Sequence, residues 1–340
     1  MADPIRIAVY HTELSRDGPG LLLRDILSGK DRQVLATVKV LQNADADILV
    51  LAGFDFDANG AALNAYADLL ESYPSRFAFR PNRGLSTGAD VDGDGKTGRP
   101  ADAHGYARFS GQSGLAVLSR FPIADDAAQD FSALLWRDLP GHSMPDGVFA
   151  DLRLSTTGHW RVPVQLPGGH WLDLLTWHAT PPVFDGPEDR NGRRNHDETA
   201  FWLRYLDGDI DAPPGNLPVM AGIANLDALD GDGRPEALTA LLTHPGLIDP
   251  KPKSAGAVYA ATRDGGANVG QSGDPALDTV DWADGPDRPG NLRVAYILPS
   301  AAFDVVASGV LWPDPDTSLG GDVAQASRHR LVWVDLVLKN

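Results

Sequence analysis

The stretch "PVMAGIANLDALDGDG" (218–233) decides how the chain is read. Its apolar part, "LPVMAGI" (217–223), is too short for a helix and reads as a buried strand that runs straight into a loop opening "ANLD". Asn225 stands at the exit of that strand, while Ile223, two residues earlier, keeps it apolar to its end.

Similar short runs recur on both sides: "IRIAVYH" (5–11), "ADILVLAGF" (46–54), "GLAVLSRF" (114–121), "WRVPVQL" (160–166), "WLDLLTWH" (171–178), "NLRVAYILPS" (291–300) and "HRLVWVDLVL" (329–338). Between them, apolar residues at three and four spacing predict helices over about 31–43, 60–72 and 196–207. Asn195, followed three places on by Glu198, reads as the cap and capping-box partner of the last. Mixed strands and helices without a Pro/Ser-rich linker predict one α/β domain over 1–340, a four-layer α/β/β/α sandwich of two mixed sheets flanked by helices. There is no internal repeat of fixed short period. Gly/Pro/Asp-rich loops at 80–113, 122–150, 180–195 and 249–290 are long enough to mark the rim of a site.

Charge narrows the partners. The chain holds 29 Lys and Arg against 46 Asp and Glu, a formal charge of -17, which repels polyanions at long range, so nucleic acid and anionic membrane are poor expectations. With no cysteine there is no disulfide, thiolate zinc site or cysteine nucleophile, and the compartment stays open. No stretch approaches the roughly 20 apolar residues of a membrane span, and "MADPIRIAVYH" has no signal-peptide core. A soluble protein is expected, with a secreted or periplasmic location and a trimmed leader left open.

Taken together, "IRIAVYHTELSR", "ADILVLAGFDFD", "GQSGLAVLSRFPI", "TWHATPPVFDGPEDRNGRRNHDE", "PVMAGIANLD", "GNLRVAYILPS" and "SRHRLVWVDL" resemble, in order and over nearly the whole chain, the endonuclease/exonuclease/phosphatase superfamily, closest to a bacterial branch. The resemblance implies a metal-dependent phosphoester hydrolase, with Mg²⁺ held by carboxylates and histidines stabilising developing charge. Position by position it implies Asn where this chain has His11, the metal-binding Glu at Gly53, Asp at Ile223, Ala295 and Arg328, and matching residues at His178, Asn225 and His329. Four acidic positions are therefore replaced, which makes Mg²⁺ at the family site unexpected. The reading is a degenerate member with a binding or structural role, the alternative being a hydrolase rebuilt around His11, His178 and His329, with Asn225 and Arg328 holding the phosphoryl oxygens.

Each remaining candidate carries two readings. The three histidines either hold a softer ion such as Zn²⁺, with Glu13 or Asp55 as fourth ligand, or are inert. Arg328 either grips a phosphate or carboxylate or pairs with Asp55 or Asp57. Arg190, Arg193 and Arg194 either face an anion near a helix start or pair with neighbouring acids. Asp90, Asp92 and Asp94 in "DVDGDGKTG" have the alternate spacing of a calcium loop, but Ala101 stands at loop position twelve, so they form either a structural calcium loop or a solvated turn. Trp177, beside His178, is expected to narrow the pocket mouth.

Overall fold

Residues 3–215, 217–285 and 287–339 are described by the computed structural model. In chain order the strands are β1 (Ile5–His11), β2 (Ile48–Phe54), β3 (Ser75–Phe77), β4 (Gly114–Ser119), β5 (Gln129–Asp130), β6 (His159–Gln165), β7 (Trp171–Trp177), β8 (Pro218–Ile223), β9 (Val280–Asp281), β10 (Asn291–Leu292), β11 (Ala295–Pro299), β12 (Phe303–Leu311) and β13 (Leu331–Leu338). The helices are α1 (Leu21–Ser28), α2 (Arg32–Ala44), α3 (Ala61–Asp68), α4 (Arg190–Leu206), α5 (Glu236–Leu242), α6 (Ala255–Asp264) and α7 (Ser318–Ala326).

Period-two patterning explains why these strands stack as two sheets. In β1, Ile7 and Val9 enter a core shared with Val162, Leu174, Val219 and Ile297, while Ala8 and Tyr10 turn to the opposite face, where α2, α3 and α7 cover them. The second sheet repeats the arrangement: Leu175, Trp177 and Met220 leave the shared core and pack on Phe201, Trp202 and Leu238 of α4 and α5. Helices thus cover the outer faces of two apposed sheets, giving the four-layer α/β/β/α sandwich. Each large apolar side chain fully buried in these layers contributes roughly 1.5–3 kcal/mol.

One sheet runs β12-β13-β1-β2-β4-β3 and the other β11-β8-β7-β6-β5, with a small β10-β9 ribbon beside them. β1 pairs parallel with β2 and antiparallel with β13; β8 pairs parallel with β7 and antiparallel with β11. The C-terminal ends of β1, β2, β7 and β8 therefore share one edge with the starts of β11 and β13.

Several elements differ from expectation. α4 begins at Arg190, capped by Asp189 in left-handed geometry without a side-chain cap bond, so Asn195 and Glu198 lie inside the helix. Their side chains reach across to the strands: Asn195 Nδ2 donates to Thr180 O and Ala224 O, and Glu198 accepts from the Thr156 and Thr180 amides. The loop expected over 249–290 contains α6, and 291–300 is divided into β10 and β11. β12 was not foreseen, because its register shifts between Val305 and Ala307 and blur the alternation. Trp177 is fully buried against Trp202 and does not narrow any mouth.

Candidate functional site

Three strand ends bring His11, His178 and His329 together. The His11 ring stacks on His329 at 4.3 Å between centroids with 25° between planes, and meets His178 edge-on at 4.9 Å. The Nδ1 atom of each is buried and without a hydrogen-bond partner. Burial first, then the His11 imidazole and Arg83, hold His178 well below the usual histidine range. Burial lowers His329 in the same way, and takes His11 down to about 4 against the opposing pull of Glu13. All three are neutral at pH 7. Asn225, in left-handed geometry at φ 52°, turns its Nδ2 back to Ala179 O at 2.7 Å.

A cavity of about 550 Å³ opens on these groups, with Arg83, Trp282 and Arg328 also in its wall. Its rings do not suit zinc. An imidazole nitrogen donates in its ring plane, and two nearly parallel stacked rings direct their lone pairs side by side instead of to one point. Among the described residues, the one His/Asp/Glu group whose ligand atoms lie within 4.8 Å of one another is Asp90, Asp92 and Asp102, remote in kind from the three imidazoles.

The four positions where the resemblance implies acids occupy this same edge. Ile223 and Ala295 are register partners across β8 and β11, and both sit in the shared apolar core. Gly53, the residue before the last of β2, has φ 68°, and a Cβ placed on it would lie 2.5 Å from His11 Cε1. The His11 ring therefore fills the volume that a glutamate side chain would need. Gly53→Ala is expected to cost about 1–3 kcal/mol from that overlap and from the left-handed backbone. In a His11→Ala background the steric part should vanish, leaving the smaller backbone cost; urea denaturation of the four proteins measures the coupling.

Arg328, exposed at the rim, pairs with Glu13 instead of Asp55 or Asp57, through its side chain and, at 2.9 Å, its backbone amide. Burial alone would raise the Glu13 carboxyl, but the Arg328 donors outweigh it and hold it below the usual range. Asp55 spends both oxygens on the Arg16 and Ser113 amides, at 2.8 and 2.9 Å, and Asp57 caps the start of α3. The residues present do not fit a hard dication held by several free carboxylates.

Arg193 and Arg194 do not pair with the neighbouring acids among the described residues. Arg194 is buried and donates to Leu154 O at 2.8 Å, His104 O at 2.6 Å and Arg153 O at 2.5 Å, while Arg193 reaches Glu188 O and Ser143 O. Among the described residues neither forms an ion pair; Asp189 pairs with Arg234, and Asp197 accepts from Trp136 and Ser143. In the acidic loop Asp102 replaces Asp94 as the third converging carboxylate. Asp94 accepts from the Lys96 amide, Asp90 from the Gly93, Asp94 and Gly95 amides, and Asp102 from the Val91 and Arg99 amides. The loop is thus closed by its own N–H groups, as short Asp side chains in Gly-rich turns tend to do.

Three residues were missed from sequence. Arg83 stands at the cavity wall with its Nε buried and unpartnered. Glu198 lies fully buried, and burial pushes its carboxyl up to about 7 against the opposing pull of Arg194. Asp278, with Oδ2 unpartnered, is raised to about 8 by burial and by Asp227, Asp230 and Asp274. Only Glu198 left a signal, as an acid in an otherwise patterned helix.

The sequence model of the endonuclease/exonuclease/phosphatase family matches residues 26–329. No curated protein sequence matches. Among solved structures, an endonuclease/exonuclease/phosphatase from Beutenbergia cavernae aligns over 100% of this chain and 72% of its own at 19% identity, TM-score 0.59. The human Nocturnin catalytic domain with bound sulfate anion aligns over 99% and 94% at 14% identity, TM-score 0.53. A family protein from Bacteroides thetaiotaomicron aligns over 100% of both chains at 14% identity, TM-score 0.52. Among the described residues, no helix is long and apolar enough to cross a membrane.

Proposed function

Since the chain belongs to the endonuclease/exonuclease/phosphatase family, we propose that it keeps the family pocket as a binding site for a small phosphate- or carboxylate-bearing molecule and does not carry out carboxylate-held metal hydrolysis. One observation carries this reading: the His11 ring lies where a glutamate at position 53 would have to project. The apolar Ile223–Ala295 pair and the Glu13–Arg328 bridge support it, because together they remove the negative oxygens that a hard dication requires. Around the cavity the imidazoles, the Asn225 amide, Arg83, Arg288 and Arg328 offer donors for an anion's oxygens, beside the acids Glu13, Asp232 and Asp287.

The three unpartnered Nδ1 atoms favour a second reading, in which a neutral imidazole accepts a proton from water and the pocket hydrolyses a phosphoester without the family metal set. One set of assays separates the two. Purified protein is offered bis-p-nitrophenyl phosphate and p-nitrophenyl phosphate with Mg²⁺, Mn²⁺, Ca²⁺, Zn²⁺ or EDTA, and inorganic phosphate binding is followed as a rise in Tm. The binding reading expects buffer-level turnover and a phosphate-dependent rise in Tm that weakens about tenfold in dose for His178→Ala. Turnover that disappears in His178→Ala overturns it.

A further inference from the structure

Next to the family pocket lies a second cavity of about 390 Å³, under the segments 101–106 and 180–194, a size typical of small-molecule sites. The two cavities share Arg83, Pro181, Val183 and Phe184 in their walls. Their charge differs. The family pocket balances Arg83, Arg288 and Arg328 against Glu13, Asp232 and Asp287, whereas the second is lined by Arg83, Arg190 and Arg194 and, among the described residues, by no acid. In a chain with a net charge of -17, such a concentration of one sign is a local exception.

Only one of these arginines is occupied within the protein. Arg194 spends its donors on four carbonyls, those of Leu154, His104, Arg153 and Ser155, but among the described residues neither Arg83 nor Arg190 makes a side-chain hydrogen bond or ion pair. Asp55 and Glu198 act on Arg83 only through space, since their own oxygens are taken by backbone amides. The half-buried Arg83 side chain lines both cavities with its Nε shut off from water and nothing to donate to. A donor left so is costly, and a native fold keeps one where something else supplies the acceptor. Apart from Thr156, Thr180 and Asn191, the remaining wall is apolar, with Leu152, Val183, Tyr106 and Phe184 its largest side chains. Phe184 is 89% exposed and held at φ 70°, a backbone conformation that a bulky residue adopts only under constraint.

We infer that this cavity is a second ligand site, adjoining the family pocket at Arg83, which takes an organic anion: a carboxylate or phosphate head against Arg83 and Arg190, with a flat apolar body against Tyr106, Leu152, Val183 and Phe184. The head supplies the counter-charge that the protein withholds. The body displaces water from the aromatic rim.

Calorimetric titration of the full chain with phenyl phosphate, benzoate, inorganic phosphate and benzyl alcohol tests this. Phenyl phosphate or benzoate is expected to bind at least tenfold tighter than inorganic phosphate and than neutral benzyl alcohol, and the stronger of the two identifies the head group. Arg190→Gln and Arg83→Gln should each weaken that binding tenfold or more, Arg83→Lys less, and His178→Ala less than twofold. Unliganded Arg83→Gln should also melt a few degrees higher than the parent, because it removes an uncompensated charge. Affinity unchanged by Arg190→Gln, equal binding of benzyl alcohol, or a lower Tm for unliganded Arg83→Gln overturns the inference. Because His178→Ala governs the family pocket and Arg190→Gln this one, loss of either reading leaves the other measurable.

Discussion

Combining Gly53→Glu, Ile223→Asp, Ala295→Asp, Arg328→Asp and His11→Asn is expected to raise Mg²⁺-dependent cleavage of bis-p-nitrophenyl phosphate about 10³-fold or more above the parent chain, since groups that act as a unit return activity only as a unit. The fifth change is the decisive one. With His11 in place, a glutamate at 53 starts with its Cβ 2.5 Å from the ring and must displace it or the end of β2. Asn is both shorter and the residue that the family resemblance implies there.

The other changes act on the charge of the same edge. Ile223 and Ala295 are opposite one another on β8 and β11, so two aspartates there face each other in a buried setting and repel unless a dication lies between them. Arg328→Asp removes a cation from the rim and frees Glu13. The five-fold variant should therefore be markedly less stable than the parent in EDTA and recover with Mg²⁺, a rise in Tm that the parent does not show. If the four-fold variant that retains His11 is as active as the five-fold one, the histidine is not the obstruction. If the five-fold variant gains Mg²⁺-dependent stability without turnover, the loss of catalysis extends beyond these positions.

Much of the fold was legible because burial on both sides of two stacked sheets leaves long apolar runs, which survive any change at the site. "LPVMAGI" and "ADILVLAGF" delivered β8 and β2 to within two residues. Alternation failed where geometry interrupts it, at the bulge in β12 and at the start of α4, where Asn195 and Glu198 look like a cap yet serve the strands beneath. At the site, His11, His178 and His329 converge as their strand ends require, but the partner of Arg328 depended on Glu13 turning back at φ 52°, which no spacing encodes. Arg83 was invisible for a related reason. Its meaning lies in the bonds it does not make, and a missing partner is a property of three dimensions alone.

Those same buried groups make the protein acid-sensitive. His11, His104 and His159 lie near 4, and His178 and His329 well below the usual histidine value, in each case chiefly through burial. A depressed histidine contributes stability that is complete above its unfolded value of 6.5 and is lost as pH falls through the window toward its folded value. Glu198 and Asp278 act in the opposite sense: raised to about 7 and about 8, they hold protons in the folded chain, so their contribution is present at low pH and fades as pH rises through those values. Near pH 5.5 the five histidines outweigh the two carboxyls, and the unfolded chain binds three more protons than the folded one. Stability should therefore fall by up to about 4 kcal/mol per pH unit there, less to the extent that solvent reaches His104. Above about pH 6.5 the slope reverses and stability declines gently to pH 8 as the carboxyls release their protons. Urea midpoints measured from pH 5 to 8 check this directly: the midpoint should peak between about pH 6.5 and 7, and His178→Phe should flatten the acid limb by roughly one proton. A midpoint that stays level between pH 6.5 and 5 would mean that the imidazoles at the sheet edge are hydrated and titrate as they do in the unfolded chain, and their buried, neutral state would then have to be abandoned.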